Sequence, residues 1–412
     1  MKVSIVIPSR ERGAYLAHSL RTATAIDDDA LEILVSDNAS TDDTADRVAA
    51  VDDPRVRYVN TGARLSMRQN FEFALRQSTG DYIITFGDDD GMIPGQFPVL
   101  RGILTCHKPD AVSWTLPTYG WPVPGYGTKT GGVRLTREGA YGRPARIDAV
   151  RRLRQLEQGL CDPEPPMPGL YHGCMSRTYL DALSGPGAPY FRARSPDIYI
   201  TFRALQHGGD LWHIRHPLSI NGFSPASTGG SMQSFGSAAE KKADTRFLTE
   251  IRTDDVDDIV PVTKSMSLAY LGTLETARHL YPQQPVSPDY VPWYRRALMD
   301  AARKEPATAA EIEASLDGHA VQFGTQSALA EARRLGPPRG QRLVDRLSRT
   351  LAKLHSFRRS AGIDGENTIF TAARMCDTVL GNDAQAVIDD TLPRGEAWAN
   401  ARRRSRAFGT QI

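Results

Sequence analysis

The stretch YIITFGDDDG, residues 82–91, joins a short apolar run to three acidic side chains in a row, Asp88, Asp89 and Asp90. A run without polar alternation is the form of a strand buried on both faces, which belongs in a mainly parallel sheet covered by helices. Three carboxylates crowded at the end of such a strand repel one another. A cation held among them would offset that repulsion.

Outward from this stretch, VSIVI (3–7, ended by Pro8), EILVS (32–36) and VRYV (56–59) are β-branched runs at spacings that leave room for helices. Ser40 with Asp43 predicts one helix start. Ser66 with Gln69 predicts a capping box ahead of Met67, Phe71, Ala74 and Leu75 on one helical face, with Gly80 as the stop. Three strand–helix units thus deliver the chain to the acidic turn, and the fold class is α/β.

Further on, residues 97–104 read as an amphipathic helix, and PTYGWPVPGYGTKTGG (117–132) as a long irregular loop. LYHGCMSRTYLDAL reads as a strand or turn entering a helix. SPDIYITFRALQHGG is a punctuated helix with Ser195 as cap, Pro196 at its first position, Asp197 in its first turn and Gly208 and Gly209 as the stop. LWHIRHPLSI reads as a strand, and residues 221–236, rich in Ser and Gly, as a mobile lid. Helical patterns dominate from about Glu240. The expected organisation is therefore a domain over 1–240, in two halves (1–100 and 101–240), followed by a helical region, 241–412.

The chain has 412 residues, 40% hydrophobic and 24% charged, with a net charge of +2, so nothing in the totals asks for nucleic acid. Cys106, Cys161, Cys174 and Cys376 form no C-x-x-C pair, which argues against zinc and for reduced thiols. No signal-peptide pattern and no 18-residue apolar segment is seen. A cytoplasmic protein is expected. In QRLVDRLSRTLAKLHSF, Leu343, Leu347, Leu351 and Leu354 share one face among basic residues. A docked surface helix, an oligomer face and a peripheral membrane contact are all open for it, with the oligomeric state unknown.

Ligands of open parallel sheets bind outside the carboxyl ends of the strands, where Pro8-Ser9-Arg10, Ser36-Asp37-Asn38 and the acidic triplet all fall. A calcium-loop reading of the acids fails, because Phe97 would stand where a bidentate Glu is needed. No glycine-rich phosphate loop follows the first strand, where PSRER stands instead.

In this order, VSIVIPSRER, ILVSDNASTDDT and RQNFEFALRQSTGDYIITFGDDDG resemble the N-terminal half of family 2 glycosyltransferases of the GT-A fold, over residues 1–100. The resemblance implies an inverting transferase of polysaccharide biosynthesis. Its partners would be a nucleotide-sugar donor, a UDP-sugar first among them, and a saccharide or lipid-linked saccharide acceptor. It implies that Asp37 contacts the base, Asp88 the ribose side, and Asp90 a Mn2+ or Mg2+ ion bridging the phosphates, with Asp89 beside them in the donor site. Pro8, Arg10 and Glu11 would line the nucleotide pocket, and Asn70 would shape it. Asp197 would be the general base, although the family's preceding Glu is absent and Pro196 stands there. His172, His213 and His216 are candidates for acceptor binding or a further metal ligand, with packing as the ordinary alternative. The competing functions are a sugar nucleotidylyltransferase and a non-catalytic nucleotide-sugar-binding protein.

Overall fold

A computed structural model describes residues 1–123, 130–160, 167–225, 254, 259, 264–336 and 355–409. Strands β1 (Val3–Ser9), β2 (Leu31–Asp37), β3 (Val56–Asn60) and β4 (Tyr82–Thr85) are mutually parallel in the order β3-β2-β1-β4. They alternate with α1 (Gly13–Thr24), α2 (Thr44–Ala49) and α3 (Met67–Gln77). Ser66 and Gln69 form the expected capping box of α3. Asp43, not Ser40, is the residue before α2. Pro8 lies inside β1, opposite Ser36, but past the last β1–β4 pair, Val6 with Thr85. Gly80 does not stop α3, which ends at Gln77. A Cβ on Gly80 would lie 2.5 Å from Ser4 Oγ and 2.6 Å from its backbone nitrogen, so close chain approach requires the glycine.

After a short strand β5 (Gly91–Met92), helix α4 (Phe97–His107) leads to β6 (Ala111–Thr115). The segment expected to be irregular contains β7 (Thr118–Gly120) and the start of β8 (Gly132–Thr136), while 124–129 fall outside the described residues. There follow β9 (Pro144–Arg146), α5 (Ala149–Glu157), β10 (Gly173–Ser176), α6 (Arg177–Ser184), α7 (Pro196–His207), β11 (Leu211–Pro217) and β12 (Ser219–Phe223). The main sheet continues from β4 through antiparallel β10 to β6, β11 and β9. The expected lid therefore begins as a strand, because β12 runs through Phe223; residues 226–236 lie outside the described residues.

Alternation along β1 feeds two cores. Val3, Ile5 and Ile7 enter one with α1 and α4, and Val6 enters the other with Leu75, Ile83 and α7. Each such aliphatic side chain contributes about 1.5–3 kcal/mol when fully buried. Helices α8 (Met266–Leu280), α9 (Tyr290–Ala301), α10 (Pro306–Gln322) and α11 (Gln326–Leu335) pack onto the second core through Leu268, Leu271 and Trp293. The C-terminal segment returns to the first core. Its strand β13 (Ser356–Ser360) pairs antiparallel with β8, giving a second sheet ordered β13-β8-β7-β12-β5. Helix α12 (Ile369–Leu380) buries Ile369, Ala372, Met375 and Val379 in the core that holds β1. The leucine-rich stretch 343–354 lies outside the described residues. Among those described, no helix is long and apolar enough to cross a membrane.

Candidate active site

Because β1, β2 and β4 run parallel, their carboxyl ends bring Ser9, Asp37 and the acidic turn to one rim. Asp37, 1% exposed, accepts hydrogen bonds from Ser40 N at 3.0 Å, the Tyr58 hydroxyl at 2.6 Å and Asn60 Nδ2 at 3.2 Å. Buried Asn70 accepts from Ser36 Oγ at 2.7 Å and so braces the residue before Asp37. Glu11 stands at φ 53° after the half-buried Arg10. Its carboxylate accepts from Thr41 N at 3.1 Å and Arg64 Nη2 at 2.9 Å. Burial pushes that carboxyl up, but the bonds from Arg64 and Thr41 outweigh it and hold it below the usual range.

The acidic triplet is divided three ways. Asp88 accepts from Ser9 Oγ at 2.8 Å and from Arg12 Nη1 at 3.0 Å. Burial opposes the charge on Arg12, yet Asp88 and Asp89 outweigh it and raise the guanidinium above its ordinary value. Arg12 is thus a protein cation answering the repulsion within the turn, and nothing in the sequence reading singled it out. Asp90 is fully buried. Its Oδ2 accepts from Gly87 N at 2.7 Å and the Tyr171 hydroxyl at 2.6 Å, its Oδ1 from Gly222 N at 2.6 Å, and His172 Nε2 lies 3.1 Å from Oδ2. Asp89 accepts at Oδ2 from Ser224 N at 3.2 Å and Ser224 Oγ at 2.6 Å, while Trp121 Nε1 donates to its carbonyl at 3.0 Å. Its Oδ1 has no hydrogen-bond donor among the described residues. Burial and then the charge of Asp90 push the Asp89 carboxyl up to about 7, against the pull of Arg12.

A divalent cation can be tested against this donor set. Among the described residues no three His, Cys, Asp or Glu side chains converge as a ready-made cage. The fit is that of one free carboxylate oxygen, Asp89 Oδ1, completed by a ligand's own oxygens, which is the usual manner of Mg2+ in phosphate sites. Asp90, expected to hold the ion, has both oxygens already engaged by inward-facing donors.

Asp197 lies in the first turn of α7, accessible to solvent yet surrounded closely by protein. Desolvation raises its carboxyl above the ordinary value, opposed by the backbone N–H groups of Ile198 and of Asp197 itself. Its charge reaches the Tyr171 hydroxyl. Burial, then Asp90, Asp89 and Asp197, push that phenol well above its ordinary value, so it remains a donor.

Of the three histidines, only His172 touches the triplet. His213 bonds Ser113 Oγ at 2.9 Å, and burial lowers it to about 4. His216 lies between Gln96 Oε1 (2.8 Å) and Tyr141 N (3.1 Å), lowered to about 3 by burial. Both are neutral packing residues. Besides Arg12, the sequence reading missed Tyr171, Trp121 and Ser224; Tyr171 adjoins the flagged His172, and the others carry no local signal, whereas Ser9 lies in the flagged Pro8-Ser9-Arg10 and bonds Asp88.

With the rim in place, the chain can be set beside known proteins. A family model described as Glycosyl transferase family 2 matches residues 4–161. Residues 4–161 are thus similar to glycosyl transferase family 2. A curated relative, GalNAc(5)-diNAcBac-PP-undecaprenol beta-1,3-glucosyltransferase from Campylobacter jejuni subsp. jejuni serotype O:2, is 30% identical over 102 residues. That match covers 24% of this chain and about a third (33%) of the relative's length. Among solved structures, S. aureus TarS in complex with UDP-GlcNAc aligns with a TM-score of 0.44 and 13% identity, over 82% of this chain and 93% of the other. The mannosyltransferase PcManGT from Pyrobaculum calidifontis, in complex with GDP-Man and Mn2+, aligns with a TM-score of 0.36 and 16% identity, over 81% and 86%.

Proposed function

We propose that this chain is an inverting, metal-assisted family 2 glycosyltransferase that moves a sugar from a nucleoside-diphosphate donor, a UDP-sugar first, to a saccharide or lipid-linked saccharide. The carrying observation is the acidic turn at the carboxyl ends of the parallel strands, where Arg12 pairs with Asp88 and Asp89 Oδ1 has no donor among the described residues. The catalytic unit is residues 1–240, completed by the 355–409 segment in its core.

In this reading the nucleotide lies along the rim, with Pro8, Arg10 and Glu11 at its pocket wall, Asp37 toward the base and Asn70 behind it. Asp88, fixed by Ser9 and Arg12, faces the ribose. Asp89 Oδ1 takes the place expected of Asp90 and would hold Mn2+ or Mg2+. When bound, the ion supplies positive charge to the departing diphosphate. Arg12 adds a fixed positive charge nearby. The acceptor oxygen attacks the anomeric carbon from the face opposite the diphosphate, the carbon–oxygen bond to the diphosphate breaks, and Asp197 receives the acceptor's proton. A lipid-diphosphate-linked acceptor is carried over from the name of the Campylobacter jejuni relative.

Incubation with UDP-, GDP- and dTDP-sugars and Mn2+ tests the reading. Release of nucleoside diphosphate supports it. Release of pyrophosphate from a nucleoside triphosphate plus sugar phosphate would replace it with nucleotidyl transfer, and binding without turnover would replace it with a binding protein.

A further inference from the structure

His172 adopts φ 49°, a left-handed backbone that is uncommon for a histidine. Neighbouring contacts fix it there: its N–H donates to Thr85 O at 2.8 Å, and Tyr171 forms a parallel bridge with Thr85. Its ring stacks on Phe86 with centroids 6.1 Å apart. Unusual backbone persists where such contacts over-determine it. Trp114 Nε1, which can only donate, bonds Ser219 Oγ at 2.7 Å, so the Ser219 hydroxyl is free to donate to His172 Nδ1 at 2.8 Å. The other ring nitrogen, Nε2, faces Asp90 Oδ2 at 3.1 Å but out of line for a hydrogen bond.

Asp90 thus receives two side chains from consecutive residues, Tyr171 and His172, and in turn receives Gly222 N from β12. Two residues on, Ser224 grips Asp89 Oδ2, which leaves Oδ1 without a donor among the described residues. The chain of contacts runs Tyr171/His172, Asp90, β12, Asp89. Packing alone does not call for a phenol donor and an imidazole, from consecutive residues of one left-handed turn, at a carboxylate oxygen that already accepts from Gly87 N.

We infer that Tyr171 and His172 are positioning residues for the acidic turn: acting through Asp90, they hold Asp89 in the orientation that receives a divalent cation and the donor's diphosphate. This rests on the donor-site reading above. Outer partners of this kind typically change metal affinity by about 10- to 100-fold when removed.

The test uses the full chain with MnCl2 and UDP as probes. Free Mn2+ is counted by electron paramagnetic resonance in the presence of UDP, and metal-free UDP binding is measured by calorimetry. Tyr171→Phe removes one oxygen, and His172→Asn keeps a residue tolerant of left-handed backbone while shortening its reach. Each variant should weaken Mn2+ binding by about 10-fold or more while metal-free UDP affinity stays at the parental value. Parental Mn2+ binding in a folded Tyr171→Phe variant overturns the inference, as does an equal loss of both affinities. If His172→Asn does not fold, Tyr171→Phe decides alone. A parent chain that binds neither UDP nor Mn2+ overturns the donor-site reading itself, and this inference with it.

Discussion

The backbone N–H of Gly222 meets Asp90 Oδ1 at 2.6 Å, tying β12 to the acidic turn across 132 residues of sequence. A Cβ at Gly222 would stand 1.8 Å from Asp89 O, so the two chains pass too closely for any side chain. Gly222→Ala should therefore part them, lowering stability by roughly 2–4 kcal/mol and abolishing nucleotide-dependent Mn2+ binding. Urea unfolding and Mn2+ titration measure the two effects; a variant with parental values of both would show that the passage can widen freely.

Asp89 and Asp90 should respond differently to loss of charge. Asp89→Asn is expected to remove metal-dependent donor turnover with little effect on unfolding, because Oδ1 has no donor among the described residues. Asp90→Asn should chiefly lower stability, since it puts an amide where Gly87, Tyr171 and Gly222 all donate. Melting temperatures and Mn2+ activation curves separate them, and a reversed pattern would return the ion to Asp90.

Asp197→Asn should leave donor binding intact and reduce transfer by about 10²- to 10⁴-fold, the usual contribution of a general base. The base works only when deprotonated. Because burial raises the Asp197 carboxyl above 3.8, the acidic limb of the rate profile should fall as pH drops through a value higher than an ordinary aspartate's. Transfer at the parental rate by the variant would leave Asp197 as a helix-terminal charge.

Glu32 supplies an acid-sensitive element of stability. It is 2% exposed, and Ser4, Thr79 and Arg57 bond its carboxylate. Burial alone would raise it, but those bonds bring it down to about 2 from 4.5. A folded-state value below the unfolded one gives stability that is present above about pH 4.5 and lost as pH falls toward 2. Glu32→Gln should lower the unfolding free energy at pH 7 and flatten its fall over that window; an unchanged acid transition would show that other carboxylates govern it.

Local rules recovered what local forces determine. Ser66 and Gln69 announce α3 because a capping box is complete within four residues, and the apolar run before the acidic turn is a strand because both its faces are buried. Asn221 and Gly222 read as loop because the need for a glycine arises from Asp89, far away in sequence. SFRRS escaped notice because β13 is an edge strand, with Phe357 its one buried residue. At the site, clustered acids were legible as charge. Their division among Arg12, Tyr171 and Ser224 was not, since it depends on which distant donors the tertiary fold brings to each oxygen.

The pairing of β13 with β8 has a consequence for biogenesis. Arg134 bonds Ser356 across a separation of 222 residues. At ribosomal speeds that interval takes roughly 10–45 s, during which β8 has an open hydrogen-bonding edge and the groove for α12 is uncovered. The nascent chain should be most vulnerable to aggregation in that period, and chaperone demand should track translation of the final 60 or so residues more closely than completion of the rim itself.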